Sequence, residues 1–398
     1  MFILHKLFRI FITTIMVLAV SVVGFSQTQI GYGTFVSAPN NSNCSNCSNY
    51  QRDLASDASG NIFGGGTSQL VTSLIPVGTN SGPVFDNTFN GDWDGYLYKM
   101  ASDGKSLLWW TYIGGALKDD IWGIEYSKEG ANEYVYATGT SFGDMNIPAG
   151  KIVGPAYKSG KEAFLAKFDA LTGSLVWFTW IGTTGNDFGF AVKVSSSNVH
   201  VVGKASELPF ITTTGAYKTS STYIDGFYAR FNLAGTINYC TYLGFPHYWM
   251  DENWSKGAMG ARGLDIINEG DVVIAGTTYA DNAVAVTEKN ALTTGTLVNA
   301  SAQGFVLRLK LNSAGASDLD FATRIRKKDG NGTFTFCSDV KHSNGEIFVL
   351  GYTDGIVAGV PSSGVYQSTN AGSSDTYILK INATSYTCLL YTSDAADE

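Results

Sequence analysis

An insertion rich in aromatic and acidic residues is the segment whose chemistry is best suited to binding a ligand. It spans Phe245–Trp254 and holds Tyr248, Trp249, Asp251 and Trp254 within a few positions of one another. Exposed aromatic rings stack on sugar rings, and neighbouring carboxylates hydrogen-bond to sugar hydroxyls. Two interpretations remain open: a carbohydrate-binding surface at these four residues, or an insertion packed over the edge of the fold.

Two polar pairs, Asp119-Asp120 and Asn186-Asp187, are candidates for holding a cation. A Ca²⁺ ion takes about six to eight oxygen ligands, and neither pair has the spacing of an EF-hand loop or a nonapeptide repeat. Stabilisation of a turn by Asp is the favoured interpretation. We therefore predict no cofactor, with Ca²⁺ as the one candidate left open.

Cys44 and Cys47 form a C-x-x-C motif in a segment rich in Asn and Ser. In an exported protein such a pair favours a local disulfide. Free thiols are one alternative, and a metal or redox site is another. A zinc site would need two further ligands, and the motif occurs only once in the sequence. We predict no metal site.

The sequence contains no group of residues with the spacing of a catalytic site. Its four histidines, at positions 5, 200, 247 and 342, are scattered and form no recognisable arrangement with Ser and Asp. Cleavage of a glycan would need two carboxylates about 5–10 Å apart. No catalytic residue is predicted, and whether the chain is an enzyme stays undecided, with a non-enzymatic protein favoured.

These candidate residues lie on a chain built from repeats. Gly66, Gly139, Gly203, Gly276 and Gly351 recur in the same local pattern, at spacings of 73, 64, 73 and 75 residues. Alternating apolar residues and turn signals around each glycine predict two β-hairpins, and therefore four strands, per repeat. The predicted fold is all-β, a β-propeller of four-stranded antiparallel blades with five visible and a larger intact ring. A solenoid is the structural alternative.

The third strand of each repeat begins with a polar residue. Asp94, Asp225 and Asp375 take this position in three repeats, and Glu162 and Gln303 take it in the others. A carboxylate there can accept hydrogen bonds from backbone N–H groups of the adjoining turn, which is a structural role. A ring of functional carboxylates is the alternative, and it is disfavoured because two of the five positions vary.

The repeats are longer than the about 40–50 residues of a WD40 or kelch blade. The additional residues fall mainly between the second and third strands, for example at 142–161 and 206–224. We expect these loops to gather on one face of the disc.

Residues 1–26 have the pattern of a secretory signal peptide. Lys6 and Arg9 precede an uncharged, mostly apolar core, and cleavage after Ser26 would leave Gln27 at the new N-terminus. The core is shorter than the about 20 residues of a membrane span, so we expect no transmembrane span after cleavage. An uncleaved anchor is the alternative. The predicted location is extracellular or on the cell surface, with the periplasm as a further option.

The repeat region, residues 27–387, has a distinctive feature at each end. Gly31–Val36 resembles the fourth-strand segment Trp110–Ile113, and we expect it to close the ring by pairing into the last blade. Residues 388–398 match one reading frame of an adapter used in sequencing libraries. We interpret them as an artefact at the end of a metagenomic fragment, which leaves the repeats truncated at the C-terminus. A natural acidic tail is the alternative.

Composition and charge exclude two broad classes of protein. With 44% hydrophobic and 15% charged residues, the chain is not intrinsically disordered. Its formal net charge is −8, with 34 acidic against 26 basic residues. Such a surface repels a phosphate backbone, so nucleic acid is not a predicted partner.

The repeats resemble the bacterial seven-bladed β-propeller (SBBP) repeat. The resemblance rests on Asp225–Phe227, Trp110–Gly115, Tyr134–Thr140 and Leu208–Tyr217, and it is weaker in the fourth repeat, where Asp318–Thr323 replaces the aromatic strand. It implies a secreted or surface protein of the Bacteroidetes type and supplies no catalytic residues.

Two functions follow as hypotheses. The first is a non-enzymatic secreted or cell-surface scaffold or adhesin, whose partner is a protein or a polysaccharide surface. The alternative is an extracellular propeller that binds a glycan, with glycan cleavage less favoured.

Overall fold

The computed structural model describes residues 49–69, 84–206, 210–245, 260–279, 288–292, 302–327, 334–357 and 374–394. These residues form twenty β-strands and short 3-10 turns. No helix long and apolar enough to cross a bilayer occurs in the described part of the chain. The predicted signal peptide at 1–26 and the predicted closing strand Gly31–Val36 lie outside it.

The strands form five four-stranded antiparallel sheets, each built from four consecutive strands. In chain order they are β1 (Asn49–Ser56), β2 (Ile62–Ser68), β3 (Asp94–Met100), β4 (Leu107–Ile113); β5 (Asp119–Glu129), β6 (Asn132–Ser141), β7 (Glu162–Asp169), β8 (Leu175–Ile181); β9 (Phe188–Val194), β10 (Asn198–Ala205), β11 (Asp225–Asn232), β12 (Ile237–Tyr242); β13 (Gly260–Asn268), β14 (Asp271–Thr278), β15 (Gln303–Lys310), β16 (Leu319–Ile325); β17 (Thr335–Ser343), β18 (Glu346–Thr353), β19 (Asp375–Asn382), β20 (Cys388–Asp394).

The predicted propeller of four-stranded antiparallel blades is therefore confirmed, with the strand boundaries close to those expected from the repeats. The first strands pack on one another in sequence, β1 on β5, β5 on β9, β9 on β13 and β13 on β17. These five strands thus form the inner side of the arc. Within the described residues the five blades do not close into a ring.

The apolar core lies between blades rather than inside a single sheet. Each of its four clusters contains buried side chains of two consecutive blades. One cluster, for example, holds Leu97 of β3 and Phe164 of β7. The same holds for the three following pairs of blades. Strands such as β3 and β7 are therefore buried at nearly every position, including those of charged residues such as Lys99 and Lys167.

Every first strand carries a β-bulge, which is one extra residue that faces no partner on the second strand. The glycine of each repeat pairs with the residue just before the extra one. A Cβ on any of these five glycines would lie 1.8–2.2 Å from a backbone carbonyl oxygen of the first strand. The extra residues, in blade order, are Arg52, Trp122, Phe190, Arg262 and Ser338.

An aromatic residue of the third strand lies directly opposite each glycine. Phe164 pairs with Gly139, and its ring would lie 2.8 Å from a Cβ placed there. The remaining pairs are Gly66 with Tyr96, Gly203 with Phe227, Gly276 with Phe305 and Gly351 with Tyr377. The repeating glycine is thus enclosed by a carbonyl on one side and an aromatic ring on the other, which excludes any larger residue.

In each of the first four blades, one aromatic residue of the fourth strand contacts the next blade. It contacts the turn between the third and fourth strands of that next blade, by a hydrogen bond in three cases and by ring stacking in the last. The pairs are Trp109 Nε1 to Ala170 O (3.1 Å), Trp177 Nε1 to Leu233 O (3.1 Å), Tyr239 Oη to Asp318 Oδ2 (2.8 Å), and the Phe321 ring on the Tyr386 ring (4.5 Å between centroids).

The insertions between second and third strands run partly along the outer edge of their blades. Backbone N–H groups of fourth strands donate to them, as from Tyr112 to Asp86 and from Tyr242 to Lys218. The expectation that these loops gather on one face was therefore incomplete. An unpaired edge strand is prone to pair with another chain, and the insertion covers that edge.

Residues 388–394 form β20, the fourth strand of the last blade, and pair with β19. They include most of the segment interpreted above as adapter-derived. Strand pairing uses backbone groups that every sequence offers, so the position of β20 does not test that interpretation.

Candidate ligand site on the inner face

The predicted carbohydrate-binding residues Tyr248, Trp249, Asp251 and Trp254 lie outside the described residues. The structure therefore neither places them nor brings them together, and the prediction stands as it was made.

The predicted disulfide partners Cys44 and Cys47 also lie outside the described residues. Among those described, Cys240 in β12 and Cys337 in β17 are buried free thiols. Burial raises the pKa of both thiols, that of Cys337 to about 12, so neither is a reactive thiolate at neutral pH.

The five extra residues at the bulges form a group on the inner side of the arc, which we name the bulge cluster: Arg52, Trp122, Phe190, Arg262 and Ser338. Each comes from a different blade. All lie near the start of a first strand, toward the end of the sheet from which the long insertions emerge.

Aromatic rings and guanidinium groups of the bulge cluster contact one another across blades. The guanidinium carbon of Arg52 lies 4.2 Å from the centroid of the Trp122 ring, and that of Arg262 lies 5.5 Å from it. Arg262 also lies over the Phe190 ring, at 4.9 Å. Trp122 and Phe190 meet edge to face with centroids 5.7 Å apart. Four consecutive blades thus contribute to one cation–π assembly.

The cluster is partly open to solvent and carries positive charge. Arg52 and Ser338 are exposed, Trp122 and Arg262 are half-buried, and Phe190 is buried. The pKa of Arg262 is lowered to about 10, mainly by burial; Tyr352 opposes this shift, and the nearby charge of Arg52 contributes to it. The Arg262 guanidinium group therefore remains charged at neutral pH.

A band of alternating charges lies further along the same first strands. It consists of the residues three positions after the bulge in four blades: Glu125, Lys193, Asp265 and Lys341. Lys193 Nζ is 2.6 Å from Glu125 Oε2, and Lys341 Nζ is 3.9 Å from Asp265 Oδ1. The inner face therefore carries two neighbouring sets of residues: the cationic and aromatic bulge cluster, and a row of oppositely charged pairs beside it.

The acids that begin third strands accept hydrogen bonds from backbone groups. Asp94 accepts one from Asn90 N–H at 2.8 Å, and Glu162 accepts one from Lys158 N–H at 2.8 Å. Asp225 accepts bonds from Gly244 N–H (3.3 Å) and Phe245 N–H (3.0 Å). Asp375 is buried at the start of β19.

Asp94, Glu162 and Asp225 have raised pKa values, because burial disfavours the charged carboxylate. Burial raises the pKa of Asp225 to about 7 and that of Asp94 to about 6. Buried carboxyls in such surroundings hold their protons at higher pH than usual.

The acids considered for Ca²⁺ also contact turns between blades. Asp119 Oδ2 accepts a bond from Gly115 N–H at 2.7 Å, and Asp187 Oδ2 accepts one from Thr183 N–H at 2.8 Å. Among the described residues, no group of three or more His, Cys, Asp or Glu side chains is arranged to hold a metal. Binding of Ca²⁺ stays an untested candidate.

Comparison with known proteins gives likeness of fold alone. No family model and no curated protein matches the chain. Solved structures that resemble it include a member of the DUF4221 family from Bacteroides vulgatus (9% identity, TM-score 0.36, covering 87% of this chain and 82% of that one). Another is the Dos1 propeller (10%, 0.33, 83% and 67%).

The hydrazine synthase of Kuenenia stuttgartiensis resembles the chain to a similar degree (9% identity, TM-score 0.37, 77% of this chain). The chain spans 63% of the length of that protein. These likenesses carry no inference about function.

Sequence reasoning did not find the bulge cluster. Its members differ in type between blades, and a bulge interrupts the alternation by which a strand's faces are assigned. The available signal was the repeating glycine, because the position opposite a bulge is where a missing side chain is needed.

Proposed function

We propose that the chain is a non-enzymatic scaffold or adhesin of the SBBP type, exported to the cell surface or beyond, which attaches to a protein or polysaccharide surface. The main support for this proposal is the set of contacts that joins each described blade to the next. A propeller whose blades are held in fixed relation presents its loops and inner face as a stiff platform.

Two contacts support that stiffness at every junction between described blades. An apolar cluster fills the space between the sheets, and a fourth-strand aromatic contacts the neighbouring turn. At the third junction a further link is added, where Glu269 of blade four accepts hydrogen bonds from Ser195 Oγ (2.7 Å) and Asn198 Nδ2 (2.9 Å) of blade three. Rigid platforms bind with a smaller entropic cost than flexible ones.

The use of the acidic residues supports a non-enzymatic role. Asp94, Glu162 and Asp225 accept backbone hydrogen bonds at turns, and Glu125 pairs with Lys193. Each of these carboxyl groups holds a strand or a turn in place.

Carbohydrate binding is the second candidate function, and the bulge cluster favours it. Trp122 is half-exposed beside two guanidinium groups on the inner face. Aromatic and polar groups that converge in a concave site are typical of ligand-binding sites. The inner face is where a propeller offers such a concave surface.

Attachment can be tested with the exported chain and intact bacterial cells. The fluorescently labelled protein is applied to cells that are untreated, treated with protease, or oxidised with periodate to destroy sugars. The scaffold proposal predicts binding to untreated cells that protease or periodate removes. Loss only after protease identifies a protein partner, and loss only after periodate identifies a glycan. Absence of binding to any cell surface would overturn the proposal.

Export is tested separately, by expressing the complete chain in a bacterium and sequencing the N-terminus of the secreted product. Cleavage before Gln27 is the expected result. Retention of the whole product in the cytoplasm would contradict export.

A further inference from the structure

We infer that the first and second blades are joined by a Ca²⁺ ion, bound by the carboxylates of Asp94 and Asp119. This inference goes beyond the proposed function and does not depend on it. Asp94 begins β3 of blade one, and Asp119 begins β5 of blade two. The ion would therefore link consecutive blades at the edge from which the long insertions emerge.

The two carboxyl groups approach each other beside a glycine. Asp94 Oδ1 and Asp119 Oδ2 both lie 2.8 Å from the point that a Cβ on Gly114 would occupy. Both acids are buried, with 0% and 1% of their surface exposed. Two carboxylates this close together and away from water repel each other unless a cation or a proton lies between them.

One oxygen of each carboxyl group lacks a hydrogen-bond partner. The Oδ2 atom of each accepts a backbone N–H from its own turn. Asp94 Oδ1 and Asp119 Oδ1 are buried without a donor in the described part of the chain. The Ser141 hydroxyl lies beside Asp119, but it donates its single proton to Gly143 O. Buried acceptors without a donor cost free energy, so these two oxygens indicate a missing ligand.

The acid that corresponds to Asp94 in the third blade has both of its oxygens satisfied. Asp225 accepts one backbone N–H on each oxygen, and one of these comes from Phe245. The corresponding N–H in the first blade belongs to Gly115, and it donates to Asp119 instead. Asp94 therefore keeps one oxygen free for another ligand.

The acid that corresponds to Asp119 in the third blade is satisfied as well. Asp187 accepts one backbone N–H on Oδ2 and another on Oδ1, the latter at 2.9 Å. Backbone donors alone can thus satisfy an acid in either position of this fold. The unmatched oxygens of Asp94 and Asp119 distinguish the first junction from these cases.

The charges around the pair favour a cation. Burial raises the pKa of Asp119 to about 7, and the negative charges of Asp94 and Asp120 raise it as well. The nearby Lys118 contacts another acid, with its Nζ 3.3 Å from Asp120 Oδ2. A divalent cation would neutralise both carboxylates of the pair.

The type of ligand selects the ion. Carboxylate oxygens suit Ca²⁺ and Mg²⁺ better than they suit softer transition metals. Mg²⁺ demands a regular octahedron and usually keeps several waters, whereas Ca²⁺ accepts carbonyl oxygens in variable geometry. A buried pair therefore favours Ca²⁺. Since no third acidic side chain joins the pair in the described part of the chain, backbone carbonyl groups and water would complete the coordination.

The test measures the binding of Ca²⁺ to the exported chain, from which metals have been removed with EDTA and dialysis. Isothermal titration calorimetry should show a saturable site with a dissociation constant of about 10⁻⁴–10⁻³ M, the range of extracellular modules. Ca²⁺ should also raise the urea midpoint of unfolding, because it binds the folded state. Mg²⁺ at the same ionic strength should raise it less.

Variants locate the site. Asp94→Asn and Asp119→Asn should each weaken Ca²⁺ binding by at least about tenfold, because each removes one charge and one anionic ligand. Asp225→Asn is the matched control, since it makes the same change at the equivalent position of blade three, where backbone N–H groups occupy both oxygens. It should leave the affinity for Ca²⁺ unchanged.

Terbium luminescence tests the location without altering either acid. Tb³⁺ takes the same oxygen ligands as Ca²⁺, and a nearby indole transfers its excitation to the bound ion. Trp93 precedes Asp94, and its carbonyl accepts a hydrogen bond from Asp119 N–H at 2.7 Å. Trp93→Phe should therefore lower the sensitised emission of Tb³⁺ and leave the affinity for Ca²⁺ unchanged.

Four results would overturn the inference. Absence of saturable Ca²⁺ binding would leave a shared proton between the two carboxyl groups. Unchanged affinity in both Asp94→Asn and Asp119→Asn would place the ion elsewhere, and so would Tb³⁺ emission that Trp93→Phe does not alter. An equal loss of affinity in Asp225→Asn would show that the losses come from weakened blades rather than from missing ligands.

Discussion

The guanidinium group of Arg262 in the fourth blade lies over the indole ring of Trp122 in the second blade, 5.5 Å from its centroid. Both residues are the extra residue of a β-bulge, and the glycines opposite those bulges are Gly276 and Gly139. The periodic glycine, the bulge and the inner-face cluster are thus three consequences of one local geometry.

A double-mutant cycle should detect this contact. Arg262→Gln, Trp122→Leu and the double variant are compared by urea unfolding. We expect a coupling free energy of about 1 kcal/mol, since cation–π pairs at partly desolvated sites reach that size. Coupling of zero would contradict the contact, and the pair Arg230 and Trp122 serves as the control, with no coupling expected.

The hydrogen bond from Trp177 to Leu233 should contribute measurably to stability. Trp177→Phe retains an aromatic ring but removes the indole N–H, which leaves a carbonyl of the next blade without this donor. The expected loss is about 1–2 kcal/mol in the free energy of unfolding. Trp93→Phe is the control, because the Trp93 ring stacks on Tyr50 and a phenyl ring can do the same. Equal effects of the two changes would show that the hydrogen bond does not matter.

Because of Asp225, the free energy of unfolding should fall as pH rises. Burial raises the pKa of Asp225 to about 7 in the folded state, whereas the pKa of an Asp in the unfolded chain is near 3.8. Between those values the folded state holds a proton that the unfolded state has lost. The free energy of unfolding therefore falls with rising pH, by up to about 1.4 kcal/mol per pH unit.

Asp225→Asn imitates the protonated side chain and should flatten this part of the stability curve between pH 4 and about pH 7. The measurement is urea unfolding at a series of pH values. If the free energy of unfolding of the variant changes with pH as steeply as that of the parent protein, Asp225 does not carry the proton.

Because of Glu269, the free energy of unfolding should instead fall as pH decreases. Despite burial, hydrogen bonds from Ser196, Ser195, Asn198 and Ser197 lower its pKa to about 2. Its contribution to stability is present above the ordinary pKa of a glutamate and is lost as pH falls from there toward 2. Glu269→Gln should reduce the acid sensitivity of the free energy of unfolding in that range. Unchanged acid sensitivity would refute the role of this contact between blades three and four.

Architecture was readable from the sequence because it depends on repetition. Two hairpins around each glycine give four strands, and Asp94 and Asp225 do begin third strands. In the fourth repeat, Asp318–Thr323 stands in place of the aromatic strand, and this segment overlaps the fourth strand β16. In the structure Phe321 occupies the same position as Trp177 and stacks on Tyr386 of the next blade.

The contacts between blades were not predictable from one sequence. The hydrogen bond of Tyr239 to Asp318 joins residues 79 positions apart, and only the packing of blades brings them together. The bulge cluster was hidden for a related reason. A single extra residue such as Trp122 reverses the alternation of faces without changing the composition of the strand.

The free energy of unfolding of Gly139→Ala, compared with that of Gly150→Ala, tests most directly whether the periodic glycines support the bulges. A Cβ at Gly139 would lie 1.9 Å from Asp120 O and 2.8 Å from the Phe164 ring, whereas one at Gly150 meets nothing within 4 Å. We predict a loss of about 3 kcal/mol for Gly139→Ala and a change close to zero for Gly150→Ala. Equal stability of the two variants would contradict the close approach of the strands, and with it the origin of the inner-face cluster.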